Sequence, residues 1–147
     1  MFQLRPEDRL RFWREFRANI ESLPIEEALL STAELWARAP FVAYNLDPDK
    51  LASWPDPWTL IFENSYCDIA KCLGIVYTIS LTNHKVDVEF RQYEDPETRY
   101  VYNLAWFDRG KYILNMTEGD VVNKTQFNKT LKLKQKFTAV DLKLEEY

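Results

Sequence analysis

The sequence predicts an α+β fold: N-terminal helices and one buried central helix packed on an antiparallel sheet of three to five strands. Three observations carry this. Before residue 82 the apolar residues recur at helical spacing, and after it they alternate with polar ones as in half-buried strands. Between these regions, Tyr66–Leu81 is apolar almost all round, the mark of a helix buried on every side. A chain of 147 residues with 15% aromatics can bury a sizeable single core.

The first helix opens at Pro6-Glu7-Asp8, with proline early and acids in the first turn, and runs to Ser22. Leu10, Trp13, Phe16 and Ile20 form its inner stripe. Arg9, Arg11, Arg14 and Arg17 spread over the rest, as a solvated face or as a patch for an acidic partner. Leu23-Pro24 breaks this helix. A second runs from Ile25 to Arg38-Ala39 and stops before Pro40, with Ala28, Leu29, Leu35 and Trp36 facing inward. Phe41 to Ser53 reads as a loop. In Trp54-Pro55-Asp56-Pro57-Trp58, two X-Pro steps restrict the backbone, and Pro57 suits the first position of a short helix over Trp58–Glu63. Ser65 and Asp68 make an S-x-x-D box, which predicts Ser65 as the N-cap of the central helix. That helix repeats Ile69, Leu73 and Val76, widened by Cys72, Ile75 and Tyr77.

Val86, Val88 and Phe90 then alternate with Asp87, Glu89 and Arg91 as a first strand. After the Glu94–Thr98 turn, Arg99–Phe107 forms a second, with Val101, Asn103, Ala105 and Phe107 on one side and Tyr100, Tyr102, Leu104 and Trp106 on the other. Asp108-Arg109-Gly110 leads into a third strand over 111–116, and the Thr117–Asp120 turn leads into Val121-Val122. Residues 1–122 therefore make one α+β domain, and 123–147 a C-terminal strand or extended arm. In this tail Leu131, Leu133 and Phe137 alternate with lysines, after which Val140, Leu142 and Leu144 take the other parity. A bulge or bend near Thr138-Ala139 would reconcile the two. The tail is a lysine-lined edge strand or an arm that joins a neighbour's sheet. On the arm reading, Leu131, Leu133, Phe137, Val140 and Leu142 are the partner-binding residues.

The net charge of −4 makes free nucleic acid a poor partner. No apolar run reaches the roughly 18 residues of a membrane span, and the charged start from Arg5 predicts no secretion. Cys67 and Cys72, five apart on one helix, project about 140° from each other and read as free thiols. With one histidine and three scattered glycines, no zinc spacing and no phosphate loop is present, so no metal and no cofactor is expected. Cys67 is the one residue with a chemical argument. In the first turn of the central helix, free N–H groups and the helix dipole favour a thiolate. A cysteine nucleophile also needs a base within reach. His84 lies past the far end of the same helix, roughly 20–25 Å away, unless the helix breaks at Gly74. No catalytic residue is therefore expected, except Cys67 on an enzyme reading.

Helices, a central helix headed by cysteine and a following antiparallel meander resemble the transglutaminase-like, papain-related cysteine fold. Ser65–Gly74, Tyr102–Trp106 and Tyr112–Thr117 are the matching stretches. The resemblance implies a cysteine nucleophile at Cys67, a histidine motif at Leu104-Ala105-Trp106 with leucine in the histidine's place, and Asn115 at the acid position. Trp54–Trp58, Tyr66–Gly74 and Tyr112–Asn115 also resemble small proteins of tailed bacteriophages. That resemblance implies a non-catalytic structural component of a virion (tail, neck or baseplate), made in the host cytoplasm and contacting other virion proteins in a multi-copy assembly. The alternatives are a cysteine-nucleophile hydrolase or acyl transferase and a host-directed binding or inhibitor protein.

Overall fold

The computed structural model describes residues 1–147, and the α+β architecture is as expected. Four helices, α1 (Pro6–Ile20), α2 (Ile25–Ala37), α3 (Pro57–Glu63) and α4 (Asp68–Ser80), precede five strands. These are β1 (Val88–Glu94), β2 (Val101–Phe107), β3 (Tyr112–Leu114), β4 (Val121–Val122) and β5 (Lys132–Thr138). The sheet is antiparallel throughout, in the order β4-β3-β2-β1-β5. Its first four strands are a meander, and β5 crosses back to pair with β1. No helix is long and apolar enough to cross a membrane.

The inner face of the sheet packs on α4, where every residue from Ile69 to Ile79 is buried. A smaller cluster of Tyr93, Leu104, Trp106, Ile113 and Leu131 fills the other face. Gly74 does not break α4. The indole of Trp36 occupies the space a Cβ would need, and an ideal Cβ at residue 74 would lie 2.3 Å from that ring. The helix runs on to Thr78, whose Oγ1 donates to Gly74 O at 2.6 Å and accepts both indole N–H groups, of Trp13 and of Trp36, at 3.0 Å. One hydroxyl thus satisfies two buried tryptophans from two helices.

Asp56 caps α3 by accepting from Thr59 N at 2.8 Å, with Pro57 opening the helix as its missing N–H allows. Trp54 donates its indole N–H to Asp47 O at 2.8 Å and packs its ring on Phe90 and Phe137, which pins the preceding loop to the sheet.

Two expectations are corrected. Arg9 is not part of a solvated face but is buried. Its Nε donates to Ile61 O at 3.0 Å, its Nη2 to Phe62 O at 2.7 Å and its Nη1 to Leu4 O. It therefore closes the C-terminal carbonyls of α3, where a cation is favoured. The N-cap of α4 is Cys67 rather than Ser65. Tyr66 is drawn into a parallel bridge with Phe41, and Val42 N donates to Tyr66 O at 3.0 Å. This holds the backbone extended until Cys67. β5 also carries an irregularity that was not expected, opposite Gln92/Tyr93, where Gln92 pairs with Gln135 and Tyr93 with Leu133, leaving Lys134 as the extra residue. The parity change after Phe137 comes from a bend at the expected place, Thr138-Ala139, in which Leu142 N donates to Thr138 O and Leu144 N to Ala139 O, each at 3.0 Å.

The tail is thus a strand of the chain's own sheet. Leu131 and Leu142 are buried in its cores, and Phe137 packs on Trp54 and Phe90, so these three are not free for a neighbour. Leu133 and Val140 are exposed.

Candidate functional site

Cys67 lies at the head of α4, almost wholly buried, at the floor of a cleft of about 440 Å³. Tyr44, Asp68, Gln92, Asn103 and Gln135 contribute to its walls. The loop side is fixed by Asn45, which accepts from Cys67 N at 3.2 Å through Oδ1 and donates to Ser65 O at 3.0 Å through Nδ2. A side-chain carboxamide here pairs with the backbone as a neighbouring strand would.

The opposite wall is a row of carboxamides set by strand register. Gln92 on β1 is the cross-strand neighbour of both Asn103 on β2 and Gln135 on β5. All three lie on the face that carries Phe90, Ala105 and Phe107 into the core. Asp68 organises them. Its Oδ2 accepts from Asn103 Nδ2 at 2.8 Å, and its Oδ1 accepts from Asn115 Nδ2 at 3.2 Å. Asn115, at φ 71° just past the end of β3, also donates to Asn103 O at 2.9 Å. A carboxylate only accepts, so Asn103 must turn its nitrogen to Asp68 and its oxygen to Gln92. Gln92 Nε2 donates to that oxygen at 2.6 Å, and Gln92 Oε1 in turn accepts from Gln135 Nε2. The other hydrogen of Gln135 Nε2 reaches Pro48 O at 3.4 Å. The chain of bonds is therefore pinned by pure acceptors at both ends, and each amide has one orientation.

Asn115, which the resemblance puts at the acid position, reaches the head of α4 through Asp68, the residue after Cys67. The histidine-motif position does not match. Leu104 points into the small cluster on the far face of the sheet, and the β2 residue that faces the cleft is Asn103. His84 is outside the site: its Nε2 lies 2.9 Å from Ile20 O, beyond the other end of α4. Carboxamides neither take up nor release a proton at neutral pH, so neither Asn103 nor Asn115 supplies a general base. Cys72, one turn deeper, is held protonated, because burial and then the charge of Asp68 push its thiol well up.

Two features escaped the sequence reading. Lys71, the one charge between Asp68 and the end of α4, is buried and pairs its Nζ with Glu118 Oε1 at 2.9 Å, which ties the β3–β4 turn to the helix. Tyr66, beside Cys67, packs edge-on against Phe2 and Trp36, and its hydroxyl is buried with no hydrogen-bond partner. Burial pushes that phenol well above the ordinary tyrosine range, with nearby Arg9 opposing.

Structures of LapG from Legionella pneumophila share this arrangement of helices and sheet. The LapG structure and its calcium-bound and EGTA-treated forms each match with a TM-score of 0.71 at 12–14% identity. The match covers 90–91% of this chain and 74–75% of LapG. The fold is transglutaminase-like. No protein-family model and no curated protein matches the sequence. Calcium belongs to the LapG form that carries it, and no three His, Cys, Asp or Glu side chains gather into a metal-holding set in this chain. Within the transglutaminase-like frame, the head of the central helix carries a cysteine that faces amides rather than an imidazole.

Proposed function

We propose that this chain is a non-catalytic module on a transglutaminase-like scaffold that works through protein–protein contacts, as a structural component of a tailed-phage virion. The observation that supports the non-catalytic part is the pair Asn103 and Asn115. Both converge on Asp68 beside Cys67, where a cysteine enzyme needs a base and a group to orient it. The virion placement, in the tail, neck or baseplate, rests on the sequence resemblance. In this reading the fold is kept as a packing unit, met by other virion proteins at its exposed side chains.

The test is alkylation of the folded protein across neutral and mildly alkaline pH, alongside Cys67→Ser. Neither cysteine is expected to react until the chain unfolds, because both are buried. Rapid native-state labelling that disappears in Cys67→Ser would instead favour the cysteine-nucleophile reading and call for a hydrolase and acyl-transfer screen. Immunoblots of gradient-purified particles test the placement. A band in particles at many copies is expected, whereas a signal confined to the soluble lysate would favour a host-directed binding protein.

A further inference from the structure

The face shared by α1 and α3 carries a second groove, separate from the carboxamide cleft. Leu10, Arg14 and Arg17 follow one another at i, i+4 and i+7, so they form one stripe of α1. Arg11 flanks the stripe and Trp58 of α3 forms the facing wall, around a cavity of about 320 Å³. Trp58 is 44% exposed, and Tyr147 holds its ring edge-on at 5.8 Å. The wall is therefore a braced aromatic surface open to solvent.

The charge in this groove is not balanced. The chain as a whole carries −4, yet three arginines gather here. Arg11 pairs with Asp8 at 3.0 Å, but none of the chain's ion pairs uses Arg14 or Arg17. The Arg17 guanidinium lies 4.3 Å over the Trp13 ring, and its Nε is buried without a hydrogen-bond partner. Burial and the neighbouring Arg14 charge both push the Arg17 pKa down, against a smaller pull from Glu21. Two like charges side by side and an unpaired buried N–H both destabilise the isolated chain. An arriving carboxylate would offset the repulsion between the two guanidinium groups.

We infer that this groove docks an acidic segment of a protein partner, with consecutive Asp or Glu side chains gripped by Arg14 and Arg17 and an apolar neighbour laid on Trp58. The guanidinium fork matches a carboxylate through two parallel N–H···O bonds, which a lysine cannot do. A nucleic acid fits less well, because a polyanion longer than the groove meets the acidic surplus on the rest of the surface.

The test is calorimetric titration of the full chain with a hexaglutamate peptide ending in tryptophan. Saturable one-to-one binding that weakens with salt is expected, together with a loss of about tenfold or more in R14E/R17E. K129E/K132E makes the same change of charge on another part of the surface and is expected to bind as wild type does. R14K/R17K keeps the charge without the fork and is expected to fall between. If R14E/R17E does not fold by circular dichroism, R14Q/R17Q takes its place. The proposal is overturned by absence of saturable binding, by equal binding to the arginine variant, or by tighter binding of a single-stranded oligonucleotide of equal charge. Self-association of the chain that R14E/R17E abolishes would also overturn it, since the groove would then hold a second copy.

Discussion

The two ends of α4 solve the same problem, a polar group inside a core, in different ways. At the C-terminal end, the Thr78 hydroxyl receives two indole N–H groups and gives its own proton to Gly74 O, and Trp13, Trp36 and Thr78 are all buried. At the N-terminal end, Asp68 receives two carboxamides, and the chain of bonds runs outward along the wall of an open cleft. The first arrangement closes on itself and fixes three elements against one another. The second reaches solvent and has little to do with holding the helices together. The second lines the cleft beside Cys67, and this is why it is the candidate site.

Substitutions at the closed end are expected to have the largest effects. Thr78→Val keeps the shape but strands two buried indole N–H groups, and is expected to cost about 2–5 kcal/mol in urea unfolding, while Thr78→Ser stays near wild type. Gly74→Ala drives a methyl into the Trp36 ring and is expected to cost about 1–3 kcal/mol, with a change in near-ultraviolet circular dichroism from the displaced indole. At the open end the effect should be smaller. Asp68→Asn turns a pure acceptor into a mixed group, so one of the two amide bonds is lost. A cost of about 1–2 kcal/mol is expected, together with altered side-chain amide resonances for Asn103 and Gln92 in nuclear magnetic resonance spectra. A loss at Asp68 larger than at Thr78 would reverse the assignment of the two ends.

The smallest effect is expected at Tyr66, which has the opposite sign. Tyr66→Phe removes an unsatisfied buried hydroxyl and should raise stability by up to about 1 kcal/mol at neutral pH. The folded-state pKa of Tyr66 is raised, so its neutral form is the one compatible with the fold. The stability it permits is intact below the ordinary tyrosine pKa of about 10 and is lost as pH rises above it. Denaturant midpoints on either side of about pH 10 should therefore converge more in Tyr66→Phe than in wild type, with buried Tyr77 accounting for the remaining alkaline loss.

Much of the fold was legible because it is local. Periodicity located the helices, Pro57 opened α3, and alternation put Asn103 on the same side as Ala105 and Phe107. The site was legible only in part, because it depends on distant pairings. Nothing within β1 or β5 says that Gln92 stands beside Gln135, and that register follows from a crossover that the meander pattern does not predict. Ser65 looked like a cap because its S-x-x-D box is a local signal, but the Phe41–Tyr66 bridge overrides it from outside. Arg9 has the same composition and spacing as its neighbours on α1, and only the arrival of the α3 carbonyls distinguishes it. The triplet Asn-Lys-Thr occurs at 123–125 and again at 128–130, and both copies play one physical role. Asn123 and Asn128 each accept from the backbone N–H two residues on, so both are Asx turns at 3.0 Å.

The row of amides at the cleft also acts as an electrical element. A carboxamide has a dipole comparable to the roughly 3.5 D of a peptide unit. In water such dipoles tumble and screen a charge. Here Asp68 aligns Asn103, Gln92 and Gln135 head to tail, and the Pro48 carbonyl holds the last of them in place. The negative end of the row is the Gln135 oxygen at the cleft wall, so the sign of a carboxylate at one end of the row is relayed through three neutral side chains to the other. A guest entering the cleft meets a field already oriented before it arrives, and one ionised oxygen pair sets its direction.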